Sequence, residues 1–133
     1  MPVVDASVLV SLLVDGEDGW AGAQVVRART SGSLWAPHLV DAEVGHALRG
    51  LVAARKSSEE DATAALQDLT RLPLRRIIHT GLLDRAWDLR HNLSFYDGLY
   101  VALAELLEEP LLTLDGRLGR AVAKVSRIEV LSN

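Results

Sequence analysis

The chain is predicted to adopt an α/β fold, with helices layered on a mostly parallel sheet. Three observations lead there. Short apolar runs alternate with longer helical patterns along all 133 residues. Twice, a short apolar strand runs straight into an aspartate and then a helix: Pro2-Val3-Val4 into Asp5, and Pro110-Leu111-Leu112-Thr113-Leu114 into Asp115. Hydrophobic residues make up 49% of the chain against 24% charged, which suffices for one core, and the length suits a single domain over residues 1–133.

The elements follow from apolar period and punctuation. Pro2 to Val4 is a brief buried strand, and Ala6 to Val14 an apolar helix. The polar break Asp15-Gly16-Glu17-Asp18-Gly19 precedes a second helix, Trp20 to Thr30, which Ser31-Gly32-Ser33 stops. Leu34 to Ala36 is a strand ended by Pro37. A long helix is expected from about His38 to Lys56. Ser57-Ser58-Glu59-Glu60 has the pattern of a capped start for another, reaching about Arg71. Leu74 to His79 reads as a strand, Leu82 to His91 as a helix, and Ser94 caps a further helix that ends at Glu108-Glu109-Pro110. Leu111 to Leu114 is a strand, Arg117 to Val125 a helix, and Arg127 to Leu131 a last strand.

Composition excludes several chemistries. The chain has no cysteine, so disulfides, thiolate zinc sites and cysteine nucleophiles are out. No signal peptide is visible after Met1 and no apolar run approaches a membrane span, so a cytoplasmic, non-membrane protein is expected. The formal charge of −4 argues against gripping nucleic acid by bulk positive charge. It leaves room for a site that attracts phosphate through a carboxylate-bound cation. Of the 14 basic residues only Lys56 and Lys124 are lysines, and arginine is the better fork for phosphate; a GC-rich genome explains the bias equally well.

Four acids carry the chemistry. Asp5 and Asp115 stand at the carboxyl ends of two strands, the edge where open parallel sheets bind ligands. Asp97 lies in the first turn of an apolar helix. Glu43 lies inside the long helix, with Leu39, Val40 and Ala47 at positions −4, −3 and +4, on its own side. An acid beside an apolar stripe is costly unless it is paired or binds a cation. Four such carboxylates suit a hard divalent ion, magnesium or manganese, and without it they repel one another and raise their pKa values. Each acid also has a plainer reading. Asp5 and Asp115 fit helix N-caps, Asp97 a capping box with Ser94, and Glu43 an arginine partner or partial solvation. One acidic pocket accounts for all four together.

These residues, in order, resemble the PIN-domain family, and within it the VapC-type toxins of bacterial toxin–antitoxin pairs. The matching pieces are Val3-Val4-Asp5-Ala6-Ser7, then Pro37-His38-Leu39-Val40-Asp41-Ala42-Glu43-Val44. Near the end come Tyr96-Asp97-Gly98-Leu99-Tyr100-Val101-Ala102-Leu103-Ala104 and Leu112-Thr113-Leu114-Asp115-Gly116-Arg117-Leu118. The resemblance implies a three-layer α/β/α fold and a magnesium- or manganese-dependent endoribonuclease, the toxin of a type II pair. Asp5, Glu43, Asp97 and Asp115 would be its acids, assisted by Ser7 or Thr113. It further implies a homodimer, an RNA substrate and a small VapB-type antitoxin whose C-terminal segment occupies the groove. At Arg117 some relatives carry a further acid, so one or two metal ions stay open, and a cation stands beside Asp115.

Other candidates are weaker. Glu43-Val44-Gly45-His46 has the Glu-x-x-His spacing of di-iron bundles, which need it twice. His46 is therefore read as an ordinary helix residue, and His38, His79 and His91 as surface or capping residues. Arg75, Arg76, Arg85, Arg90, Arg120 and Lys124 are read as solvated faces or edge guards, and Trp20, Trp35 and Trp87 as core or dimer packing residues. A haloacid-dehalogenase-like phosphatase wants a second Asp where Ser7 stands, and a receiver domain wants a lysine after the last strands. A catalytically silent binding module on the same fold remains the rival from outside enzymes.

Overall fold

The computed structural model describes residues 1–133, the side chain of Ser31 excepted. Five strands form one sheet: β1 (Val3–Val4), β2 (Leu34–Pro37), β3 (Leu74–Ile77), β4 (Leu111–Thr113) and β5 (Val130–Ser132). Their order is β3-β2-β1-β4-β5, and each neighbouring pair runs parallel. The order reverses about β1, so the carboxyl ends of β1 and β4 flank the switch point where such sheets open a crevice. The expectation of an α/β fold on a mostly parallel sheet holds, and the parallel pairing extends to all five strands.

Seven helices connect the strands: α1 (Ala6–Asp15), α2 (Trp20–Ser31), α3 (Leu39–Ala53), α4 (Glu59–Arg71), α5 (Leu83–Asp88), α6 (Phe95–Leu107) and α7 (Gly116–Ala123). Helices α1, α3 and α4 pack on one another, and α6 lies against β1, β2 and β4 with α5 at its side. Val3, Val4, Leu111 and Leu112 of the central strands are buried, as is the unbroken run Gly98 to Ala104 of α6. A helix apolar all round belongs inside, and α6 is where the core is deepest. No helix is long and apolar enough to cross a membrane.

Several boundaries differ from the sequence reading: β3 ends at Ile77 and not His79, β4 at Thr113 and not Leu114, and α7 at Ala123 and not Val125. The long helix stops at Ala53 instead of Lys56, because Arg55 turns left-handed (φ 58°) and lets the Lys56 and Ser57 N–H groups donate back to the Leu51 carbonyl. The helix expected over Leu82–His91 divides into a 3-10 turn at His79–Leu82 and the short α5. Its end tightens as the Leu89 N–H is shared between the Arg85 and Ala86 carbonyls, each at 3.2 Å. The last strand starts at Val130, not Arg127, since only there does pairing with Leu111 begin.

The basic residues behave largely as the plainer reading expects. Arg76 forks onto Asp41 (2.6 and 2.9 Å) and also donates to the Leu69 carbonyl, tying β3 to α3 and α4. Arg85 forks onto Glu105 (2.8 and 3.0 Å), and Arg75 covers the Trp35 ring at 5.2 Å. Trp20 and Trp35 pack against the core. Trp87 does not: it is 58% exposed, with the Arg90 guanidinium 4.4 Å from its ring centre. His38, His46 and His91 are exposed and His79 is half-buried.

Candidate active site

Asp5 is built in by its neighbours on both sides. It follows β1 in extended conformation and caps α1, its Oδ1 accepting the Val8 N–H at 3.3 Å. The same oxygen accepts the Ser7 hydroxyl at 2.5 Å, and Oδ2 accepts the hydroxyl of Thr113, the last residue of β4. Ser7 in turn accepts the Leu114 N–H (2.9 Å), and Thr113 accepts the Asp115 N–H (3.0 Å). Each hydroxyl has one proton and already receives an N–H, so each turns that proton onto Asp5. This arrangement favours the carboxylate. Burial opposes it more strongly and pushes the Asp5 pKa above the ordinary carboxylate value.

The other acids reach the same end of the sheet by different routes. Asp115 caps α7, its Oδ1 accepting the Arg117 N–H at 2.9 Å, and it is exposed. Asp97 sits in the first turn of α6, where Ser94 accepts its N–H at 3.0 Å. Its pKa is raised by burial and then by the charges of Asp5 and Asp115, against a hydrogen bond from Ser94. Glu43 comes from the middle of α3 and accepts the Tyr100 hydroxyl at 2.6 Å. Burial raises its pKa against that bond, and the charges of Asp97 and Asp5 add to the rise.

The plainer readings are therefore partly right: Asp5 and Asp115 do cap helices, and Ser94 does cap at Asp97. Capping does not use up these carboxylates, which still act on one another's charge. Among the described residues, none of the four takes part in an ion pair, so the arginine partner considered for Glu43 is not formed. As they stand, no three His, Asp or Glu side chains among the described residues are close enough to share one ion. The donor set itself, all oxygen and anionic, fits magnesium or manganese better than any softer metal.

Two features escaped the sequence reading. Tyr100, buried to 1% exposure, holds Glu43; its signal was the i,i+3 spacing from Asp97, which puts both on one side of α6. Beside Glu43 and Ser7 an open groove of about 660 Å³ runs between α1 and α3, lined by Val10, Val14, Ala47 and Leu51, with Lys56 at its margin. Arg117 is exposed, and it contributes its backbone N–H to Asp115.

A parallel sheet that brings acids from β1, β4, α3 and α6 to its switch point, where they act on one another's charge, defines an α/β protein with an acidic centre. The PIN domain description matches residues 3–124. Ribonuclease VapC1 of Mycobacterium tuberculosis is 50% identical over 121 residues, 90% of this chain and 89% of that protein. The chain belongs to the PIN-domain family, in its VapC branch. Two solved structures share the fold. Mycobacterium tuberculosis VapC20, a sarcin-ricin loop cleaving toxin, superposes with a TM-score of 0.63 at 21% identity, covering 91% of this chain and 95% of that one. A toxin–antitoxin complex from Klebsiella pneumoniae gives 0.60 at 18% identity, covering 99% and 97%.

Proposed function

We propose that the chain, as one nuclease domain over residues 1–133, is an endoribonuclease dependent on magnesium or manganese and the toxin of a type II toxin–antitoxin pair. The observation that carries the reading is electrostatic: three acids raised by burial, two of them also by neighbouring carboxylates, with no cationic side chain among the described residues paired to any of the four. Such a set is stabilised by a divalent cation. Asp5, Glu43, Asp97 and Asp115 would hold it, and when bound it supplies polarisation of a phosphoryl oxygen and a more acidic water. The chain's own part is to fix the donors. Ser7 and Thr113 orient Asp5, and the α6 and α7 N-termini present Asp97 and Asp115 on backbones whose N–H groups favour phosphate.

The names of the relatives point the same way, since the similar proteins are called ribonucleases and toxins. The partner class follows: an RNA substrate and a small VapB-type antitoxin, whose C-terminal segment the apolar groove beside Glu43 would receive. A homodimer and a cytoplasmic location complete the reading. The spacing of the acids, with no three among the described residues close enough for one ion, is the observation that favours the rival silent binding module.

The deciding measurement is RNA cleavage with EDTA, magnesium or manganese, on wild type and Asp5→Asn. Cleavage that needs the cation and disappears in the variant is expected. Cation-independent cleavage, or an unaffected variant, would overturn the reading.

A further inference from the structure

Glu43 is an acid that its own helix backbone cannot hold. Asp5 and Asp115 sit at helix starts, where free N–H groups reach their side chains. Glu43 is the fifth residue of α3, beyond the free N–H groups of its first turn. Its side chain has three rotatable bonds and no local donor. The hydrogen bond recorded for its carboxylate comes from another element: the Tyr100 hydroxyl on α6, at 2.6 Å. Tyr100 itself is 1% exposed, so its ring is fixed by the core and its single proton has a fixed direction.

Resting on the metal-dependent reading above, we infer that Tyr100 is a positioning residue that tethers Glu43 by Oε1 and so sets where its other carboxylate oxygen stands for a divalent cation. The phenol touches neither substrate nor metal. Its effect passes through Glu43, as outer hydrogen-bond partners of metal ligands commonly act. The link also joins α3 to α6, so the long-helix acid and the α6 acid are held at one spacing by a bond that neither helix makes alone.

The test is Mn²⁺ binding by calorimetry and by electron paramagnetic resonance on the full chain, wild type against Tyr100→Phe. The tether predicts Mn²⁺ affinity at least about tenfold weaker in Tyr100→Phe, the scale for such partners. The EDTA-treated variant should melt within a few degrees of wild type, because phenylalanine refills the same space. Combined with Glu43→Ala, Tyr100→Phe should weaken binding no further. Wild-type affinity in Tyr100→Phe, or a loss that adds in full to that of Glu43→Ala, overturns the tether and leaves the nuclease reading standing. A wild-type chain that binds no Mn²⁺ overturns the metal reading and the tether with it.

Discussion

Thr113 donates its hydroxyl proton to Oδ2 of Asp5 across the junction of β4 and β1, while the Thr113 Oγ1 itself accepts the Asp115 N–H. Thr113 is fully buried, and the bond couples two site acids that lie 110 residues apart in sequence, since Asp5 and Asp115 share this one hydroxyl. Replacing it by valine keeps the shape and leaves a part-buried N–H and a part-buried carboxylate oxygen without this partner. Thr113→Val is expected to lower stability by about 1–3 kcal/mol, read by urea unfolding, with a larger proportional loss of cleavage. Thr113→Ser restores the hydroxyl and should recover most of both. A valine variant as stable and as active as wild type would sink the account.

Asp5→Asn tests the polarity of the same network. Both Asp5 oxygens receive hydroxyl protons, and an amide NH₂ in place of one oxygen would face a donor instead of an acceptor. Cleavage should fall by two orders of magnitude or more, by analogy with removal of a transition-state group worth ~3 kcal/mol. Stability should fall as well, unlike the ordinary loss of one repelling charge. Thermal melting beside the cleavage assay separates the two, and a variant more stable than wild type would contradict the proposed proton directions.

The acid cluster also sets a pH dependence. Burial, then the charges of Asp5 and Asp115, raise the Asp97 pKa in the folded chain above its value of 3.8 in the unfolded one. The folded state therefore binds that proton more tightly than the unfolded state, and stability falls as pH rises from the ordinary carboxylate range through the raised value. Asp97→Asn cannot lose the proton. In EDTA, its melting temperature should gain on wild type between about pH 4 and pH 7, and added Mg²⁺ should close the gap by stabilising wild type alone. A difference that shrinks toward neutral pH in EDTA would refute the coupling. Should Asp97→Asn merely lose stability at all pH values and keep full activity, capping was the role of this position.

Two glycines give opposite expectations. A Cβ at Gly98 would lie 3.1 Å from the Ala86 carbonyl oxygen and 3.2 Å from its Cα, both backbone atoms of α5. Gly98→Ala must push α5 from α6 and is expected to cost about 1–3 kcal/mol, with lost activity because Asp97 is adjacent. Gly50, in the exposed part of α3, has nothing within 4 Å of such a Cβ. Gly50→Ala should stabilise by up to about 1 kcal/mol without touching cleavage. Denaturant midpoints of both variants check the pair, and a destabilised Gly50→Ala or a stabilised Gly98→Ala would count against this packing.

Much of the fold was legible because its signals are local. Alternating apolar runs, the Ser94 and Ser58 caps, and the two strand-to-aspartate junctions each lie within a few residues of sequence. The boundaries that slipped depended on distant partners or on the backbone itself. The end of α3 is set by a left-handed Arg55, and the start of β5 by where β4 can pair. Nor does anything in the row distinguish Trp87, left on the surface beneath Arg90, from the packed Trp20 and Trp35.

The sequence by itself determined which acids stand at strand ends and helix starts, because a short apolar run into Asp and then a helix needs no partner to be read. It likewise carried the ordered motifs that place the chain in its family. Only the tertiary structure decided how those acids are held. Hydroxyls of Ser7 and Thr113 reach Asp5 from either side of a strand junction, and Tyr100 reaches Glu43 from another helix, 57 positions away. Hydrogen bonds of 2.5–3.0 Å depend on positions in space, and spacing along the chain does not report them.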